Sequence, residues 1–326
     1  MQKTSLKQAL SKARVILESK NIETARLDSE VLLAFSLGIN RSEIFKDPDR
    51  LLTAEEVSKF NAFIDRRSRF EPVAYIRNKK EFFSIEFRVT PAVLIPRPET
   101  EHLVEAALDF VKTVKSVETI QILDIGTGSG ALPVAILANV NFKGLASPPP
   151  AAKPHGASPS APPCSLKSPR EKSGREPGEI YVPSFVYASD LSEDALSIAR
   201  YNVIANNLES KVKFIKSDLF ENIEGEFDFI LSNPPYVRTA EVDNLKNNGK
   251  LYEPRMALDG GEDGLKIIGR LIKDGVKFLK TGAAMLIEIG SGQAQTIRNI
   301  PDCEKYGSIN FIKDLSGKER VLVLKR

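Results

Sequence analysis

Apolar residues recur at helical spacing through the first seventy positions. Leu6, Ala9, Leu10, Ala13, Ile16 and Leu17 mark one helix, and Leu27, Val31, Leu32 and Phe35 mark a second that ends at Gly38. Thr53-Ala54-Glu55-Glu56 has the form of a capping box and opens a third helix through Arg67, which Glu71-Pro72 stops. These stripes predict a small helical bundle over residues 1–75. The period then changes. Glu81 to Val89 is strand-like and aromatic, and we read residues 76–95 as a β-ribbon linker. Pro98-Glu99-Thr100-Glu101 starts a helix to Val111 with acids in its first turn. From there to residue 326, short apolar runs alternate with helical stretches. Ile120–Leu123, Ser184–Ser189, Lys211–Ile215, Phe227–Leu231 and Ala283–Ile289 read as strands, and Ala131–Ala138 as a helix. That alternation predicts a doubly wound α/β domain over residues 96–326. Ser308–Ile312 and Glu319–Leu324 complete it as a closing pair, with the last strand antiparallel at the edge.

One stretch breaks the pattern. Between about Gly144 and Ile180 the chain carries Pro148-Pro149-Pro150, Pro162-Pro163 and four further prolines among Ala, Ser, Gly and Lys. With almost no large apolar residue it reads as a disordered insertion between a helix and the next strand, tolerated because loop length adds little closure entropy.

Composition narrows the function classes. The 326 residues suffice for a small domain plus a full α/β domain, and no apolar run is long enough to span a bilayer. The N-terminus lacks a signal-peptide apolar core, so the expectation is a cytoplasmic protein without a membrane partner. Two cysteines, Cys164 and Cys303, and two histidines, His102 and His155, form no ligand cluster, and no metal site is expected. Net charge is +3; residues 144–180 hold five Lys/Arg and three Glu, so the remainder carries about +1. That is a poor footprint for gripping duplex DNA unaided.

Three features carry chemistry. Asn233-Pro234-Pro235-Tyr236 follows the strand Phe227–Leu231, placing the tetrad at a strand's C-terminal end, where open α/β sheets hold ligands. Two prolines fix φ and keep Asn233 extended. The stiff loop suits a planar –NH2 group. The Asn233 oxygen and a proline carbonyl can each accept one N–H, and Tyr236 can stack on the face. A rigid surface turn is the plain alternative. The second feature, Asp124-Ile125-Gly126-Thr127-Gly128-Ser129-Gly130, lies between an apolar strand and a helix, and its glycines permit positive φ and close approach to a ligand. The G-x-G-x-G spacing differs from the dinucleotide fingerprint, and a structural turn is as good a reading of the triplet alone. The third is Asp190, at the end of Ser184–Ser189, whose carboxylate can take both hydroxyls of a ribose. Excising the insertion returns it to ordinary spacing from Gly130.

Together, Ile95-Pro96-Arg97-Pro98-Glu99-Thr100-Glu101, the glycine loop, Ser217-Asp218-Leu219-Phe220 and Ser232-Asn233-Pro234-Pro235-Tyr236 resemble the PrmC (HemK) family. These are S-adenosylmethionine-dependent N5-glutamine methyltransferases of peptide chain release factors. The resemblance continues through Glu253-Pro254-Arg255-Met256-Ala257-Leu258, Gly260-Gly261-Glu262-Asp263-Gly264 and Glu288-Ile289-Gly290. It implies a Rossmann-like S-adenosylmethionine-dependent methyltransferase domain, S-adenosyl-L-methionine as cofactor and a release factor as protein partner of a monomeric enzyme. By the same resemblance, Gly126, Thr127, Gly128, Ser129 and Gly130 wrap the methionine and ribose parts of the cofactor. Asp190 holds the ribose hydroxyls, and Asp218 and Leu219 lie beside the adenine. Asn233 touches both cofactor and substrate amide, and Pro234, Pro235 and Tyr236 complete the clamp. The helical residues 1–75 then recognise the substrate. Three positions depart from the family pattern: Asn78 replaces a usual Gly, Pro133 falls early in a helix, and Leu219 stands where some members carry an aromatic residue. Two other classes use the same features. One is a nucleic-acid amino methyltransferase with the clamp on a flipped base, which the charge balance disfavours; the other is a non-catalytic cofactor-binding module, which the intact clamp disfavours.

Overall fold

A computed structural model of the chain describes residues 4–113, 120–140, 184–244 and 252–326. The insertion predicted at 144–180 lies outside the described residues. The first unit comprises α1 (Leu6–Glu18), α2 (Ala25–Leu37), α3 (Ala54–Ser68) and the short α4 (Val73–Arg77). Capping sets their starts. Ser5 and Gln8 form a capping box on α1, Thr53 and Glu56 another on α3, and Gly38 ends α2 in the left-handed region at φ 68°. Leu17, Leu32, Leu33 and Phe60 are fully enclosed in this core, and Phe35 stacks on Phe63.

The junction with the second unit is made by adjacent residues of α4. Ile76 enters the helical core, whereas Tyr75 enters the core of the sheet domain and donates its hydroxyl to the Val93 carbonyl at 2.6 Å. Asn78 follows at φ 54°. This explains the departure from glycine: the chain turns through the left-handed region, and Asn tolerates that region better than other side-chain-bearing residues.

The ribbon is a hairpin, β1 (Lys79–Phe82) paired antiparallel with β2 (Ile85–Arg88). It turns at Phe83-Ser84, both at positive φ, in the middle of the stretch that reads as one aromatic strand. Neither residue is a usual turn former; the Phe83 N–H is held instead by the Glu101 carboxylate at 3.0 Å.

The second unit adds α5 (Glu101–Thr113), β3 (Ile120–Ile125), α6 (Ala131–Asn139), β4 (Ser184–Asp190), α7 (Glu193–Ala205), β5 (Val212–Lys216), β6 (Phe227–Ser232), α8 (Thr239–Asp243), α9 (Lys266–Gly275), β7 (Leu279–Glu288), α10 (Ala294–Arg298), β8 (Ser308–Lys313) and β9 (Glu319–Lys325). The sheet order is β5-β4-β3-β6-β7-β9-β8, parallel from β5 to β7 and antiparallel on both sides of β9. Helices cover both faces. On β3, Ile120 and Ile122 face the core of α5, α6 and α7, while Leu123 and Ile125 face that of α9 and α10. Pro133 occupies the third position of α6, where a missing N–H removes no intrahelical bond, and the helix starts at Ala131 as read.

One expectation is corrected. The last strand is antiparallel but does not lie at the edge: β9 inserts between β7 and β8, and β8 takes the edge. Burial explains the order. Val321 to Leu324 are consecutively enclosed, as an interior strand requires, whereas β8 has no fully buried position.

Candidate active site

The strand order reverses direction between β3 and β6, and the carboxyl ends of β3, β4, β5 and β6 open there into one cleft. Gly126, Thr127, Gly128, Ser129, Asp190, Asp218, Leu219, Asn233, Pro234 and Pro235 all line it. Gly130 and Tyr236 do not. Gly130, at φ 76°, turns the chain into α6, and a Cβ there would come within 3.1 Å of the Ala199 Cβ. Its role is close packing of α6 on α7.

The glycine loop is held by its neighbours. Gly126 and Thr127 both donate backbone N–H bonds to the Ser189 carbonyl at 2.8 Å, tying the loop to the end of β4. Asn202 on α7 donates to the carbonyls of Ser129 and Arg88, joining the loop to the hairpin. Asp190 accepts from the Gly128 N–H at 2.9 Å through one oxygen and from the Ser192 N–H through the other. Burial raises its pKa, and these N–H bonds oppose the rise. Each oxygen keeps a lone pair for a ligand hydroxyl.

Behind the loop lies a residue of the motif that carries no role in the sequence reading. Asp124 is wholly enclosed, and neither carboxylate oxygen finds a hydrogen-bond partner among the described residues; the Thr127 hydroxyl is also unpartnered. Burial pushes the Asp124 carboxyl up to about 7, and the Asp190 charge adds to the rise. Orphaned buried polar atoms call for an explanation, and a cationic ligand group is one that these supply.

At the other end, Asn233 follows β6 directly. Its Nδ2 donates to the Thr100 hydroxyl at 2.9 Å, while its Oδ1 carries no hydrogen bond among the described residues. Thr100 reaches it from the turn that begins at Pro98. The segment before that turn walls this side: Val93, Leu94 and Pro96 line the cleft. Glu253 fixes that wall, accepting from the Ile95 N–H at 3.2 Å and from the Arg97 guanidinium. Tyr236 is bonded away from the cleft lining. Its hydroxyl donates to the buried Glu288 at 3.1 Å, which draws the ring behind the loop, since a buried phenol needs a partner. The 259–264 segment and Gln293 brace the tetrad: Gly260 donates to the Val237 carbonyl at 2.8 Å, Gln293 to the Tyr236 carbonyl at 3.0 Å, and a Cβ on Gly260 would meet the Pro235 carbonyl at 2.7 Å. Leu219 stands at φ 50°, and Asp218 pairs with Arg270 at 3.0 Å.

A family model described as PrmC N-terminal domain matches residues 8–77, and one described as Methyltransferase small domain matches residues 181–250. A Koribacter versatilis protein named release factor glutamine methyltransferase is 38% identical over 98% of this chain and 98% of its own length. Proteins of the same name from Rhodopirellula baltica, covering 94% and 91%, and Haemophilus influenzae, covering 97% and 97%, are 35% and 31% identical. The chain belongs to the release factor glutamine methyltransferase family. Among solved structures, the hMettl16 catalytic domain in complex with a 3'UTR hairpin superposes with a TM-score of 0.51 at 13% identity over 85% of this chain and 84% of that one, a likeness of fold. As a member of the family the chain is a methyltransferase with S-adenosyl-L-methionine as cofactor. The residues fit that group. A carboxylate stands ready for two ribose hydroxyls, a glycine loop admits close approach, and the unpartnered Asp124 oxygens lie behind a site whose ligand carries an ammonium and a sulfonium.

Proposed function

We propose that the chain transfers a methyl group from S-adenosyl-L-methionine to the side-chain amide nitrogen, N5, of a glutamine in a peptide chain release factor. The observation that carries this reading is the orientation of Asn233. Thr100 occupies its Nδ2, and the oxygen is left as an acceptor at the cleft. An acceptor in that place, beside a proline carbonyl, takes the two hydrogens of an –NH2 group. The amide lone pair is delocalised, so what such a nucleophile needs from the protein is a fixed direction of attack. Orientation of this kind can lower a barrier by roughly 7–11 kcal/mol in favourable cases.

When bound, the cofactor supplies a methyl group already activated on a sulfonium. The protein does the rest. Asp190 and the backbone of Gly126 to Ser129 hold the ribose and methionine parts, with Asp124 behind them and Gly130 turning the chain into α6. Asp218 and Leu219 lie at the adenine end, where Arg270 keeps Asp218 in place. Asn233 and the Pro234 carbonyl hold the amide hydrogens, and the prolines keep that pair from relaxing. Tyr236 supports the tetrad from behind through Glu288. The helical residues 1–75 recognise the release factor, residues 76–95 link them to the catalytic residues 96–326, and the enzyme acts as a monomer without nucleic acid. Among the described residues none before Ala92 lines the cleft, which supports this division of labour.

Incubation with labelled cofactor and purified release factors, followed by mass spectrometric mapping, tests the reading. The expected product is a single methyl on a glutamine side chain. Label on another residue type, or on RNA in place of the protein, would overturn it.

A further inference from the structure

We infer that Gln293 is a positioning residue for methyl transfer: from outside the cleft, it fixes the exit of the tetrad loop through the Tyr236 carbonyl and so holds the aim of Asn233. The inference rests on the reading above for the identity of the group that Asn233 receives.

Gln293 stands just before α10 and does not line the cleft. Its side-chain amide is fully used. Oε1 accepts the Gly290 N–H at 2.7 Å, and Nε2 donates to the Tyr236 carbonyl at 3.0 Å and to the Gly264 carbonyl at 3.2 Å. An N–H on one side and two carbonyls on the other admit only one orientation of the amide. One side chain thus joins three segments: the loop after β6, the 259–264 segment and the turn after β7. Backbone closes around it. A Cβ on Gly264 would lie 2.7 Å from Nε2 and 2.4 Å from the Tyr236 carbonyl oxygen, and one on Gly290 would lie 2.9 Å from Oε1. Gln293 is itself anchored, since its backbone N–H donates to the Gly290 carbonyl at 3.2 Å.

The bond to Tyr236 supplies what the prolines do not. Their rings fix φ at positions 234 and 235 and keep the residue before each extended. No ring restrains ψ of Pro235 or either torsion of Tyr236. The peptide unit between Tyr236 and Val237 is held at both of its polar groups instead. Gln293 takes the carbonyl, and the Val237 N–H donates to the Leu258 carbonyl at 3.0 Å. Without Gln293 that plane is held from one side only, and the loop that carries Asn233 gains freedom at its exit. A displacement of about 1 Å at a site that aims a nucleophile costs on the order of 10²-fold in rate. Gln293 touches neither the cofactor loop nor Asp190, so the loss should fall on turnover.

Three measurements on the full chain decide the matter. Gln293→Ala should lower kcat on a release factor by about 10²-fold at saturating cofactor, with calorimetric cofactor affinity within about threefold of wild type. Gln293→Glu keeps the shape but puts an acceptor where the donor was. Near pH 8 its carboxylate faces two carbonyl oxygens, and the rate should fall at least as far as in the Ala variant. Those oxygens disfavour the charged form, and the protonated acid has one O–H to donate. The rate of Gln293→Glu, divided by that of Gln293→Ala at the same pH, should therefore rise by about tenfold or more between about pH 8 and about pH 5.5. A side chain that only fills space gives no such recovery. The third measurement needs no variant. In 15N-glutamine-labelled wild type, the Gln293 side-chain NH2, assigned through its proximity to the Gly290 N–H, should exchange with solvent about tenfold more slowly than exposed glutamines, because both its hydrogens are bonded. Near-normal turnover or equal losses of turnover and cofactor affinity in Gln293→Ala, no acid recovery in Gln293→Glu, or a Gln293 amide that exchanges like the exposed ones would each overturn the proposal. If the mapped methyl is not on a glutamine while Gln293→Ala still separates turnover from cofactor affinity, the substrate reading fails and the positioning role stands.

Discussion

The two ends of the cleft are built from different materials. The end at Gly126–Gly130 is mostly backbone: three glycines at positive φ, a loop tied to β4 by two N–H bonds, and one carboxylate held by two more. The end at Asn233 is mostly side chain. Asn233 and Tyr236 of the tetrad, Thr100 and Glu288 come from three places in the chain, and side-chain hydrogen bonds join Asn233 to Thr100 and Tyr236 to Glu288. A backbone site constrains conformation and tolerates many side chains around it. A side-chain site constrains identity. The first suits a cofactor whose parts never change, and the second a nucleophile that has to be aimed.

The largest effect separates the two ends outright. Asn233→Ala should cut turnover on a release factor by on the order of 10²-fold or more, read from initial rates at saturating cofactor. Asp190→Ala should do the converse. Losing a charged acceptor weakens cofactor binding by roughly ten- to a hundredfold, seen by calorimetry, with kcat at saturation changing far less.

A pH experiment sharpens the backbone end. The folded-state pKa of Asp124 is raised to about 7 from an ordinary value of 3.8, so the folded protein binds more protons than the unfolded chain between those values. Stability therefore falls as pH rises from about 4 to about 7. Relative to Asp124→Asn, the wild type should lose on the order of 2–4 kcal/mol across that window, measured by denaturant midpoints. Added cofactor should shrink the difference if its ammonium lies near this carboxylate. A smaller loss is expected for Gly130→Ala, roughly 1–3 kcal/mol, because the new Cβ meets Ala199 and the backbone is left-handed. The smallest effect is at the insertion. Replacing residues 144–180 with a short Gly-Ser linker should leave turnover within about twofold, since their composition offers no packing surface and every residue named for the site lies outside them.

The same contrast explains what was legible in the sequence. Gly126, Gly128 and Gly130 announce themselves because only glycine takes those angles readily, and Pro234 and Pro235 because they stiffen whatever precedes them. Asp190 is legible from its place at a strand end. Asp124, Thr100 and Glu288 were visible as parts of motifs but not as a site. Thr100 and Asn233 are 133 positions apart, and only the sheet brings Glu288 to Tyr236. The unbroken apolar run Val321–Leu324 did carry a signal for an interior strand, which an edge assignment overlooked. The hairpin turn at Phe83-Ser84 had no such signal, because a tertiary contact to Glu101 imposes it on residues that do not favour turns.

The claim that the two ends are separable is tested most directly by titrating S-adenosyl-L-methionine into Asn233→Ala in a calorimeter. On the proposed assignment, in which the backbone end holds most of the cofactor, the dissociation constant should stay within about threefold of wild type even though turnover has collapsed. A loss of affinity that matches the loss of turnover would contradict the account, for the cleft would then be one indivisible site.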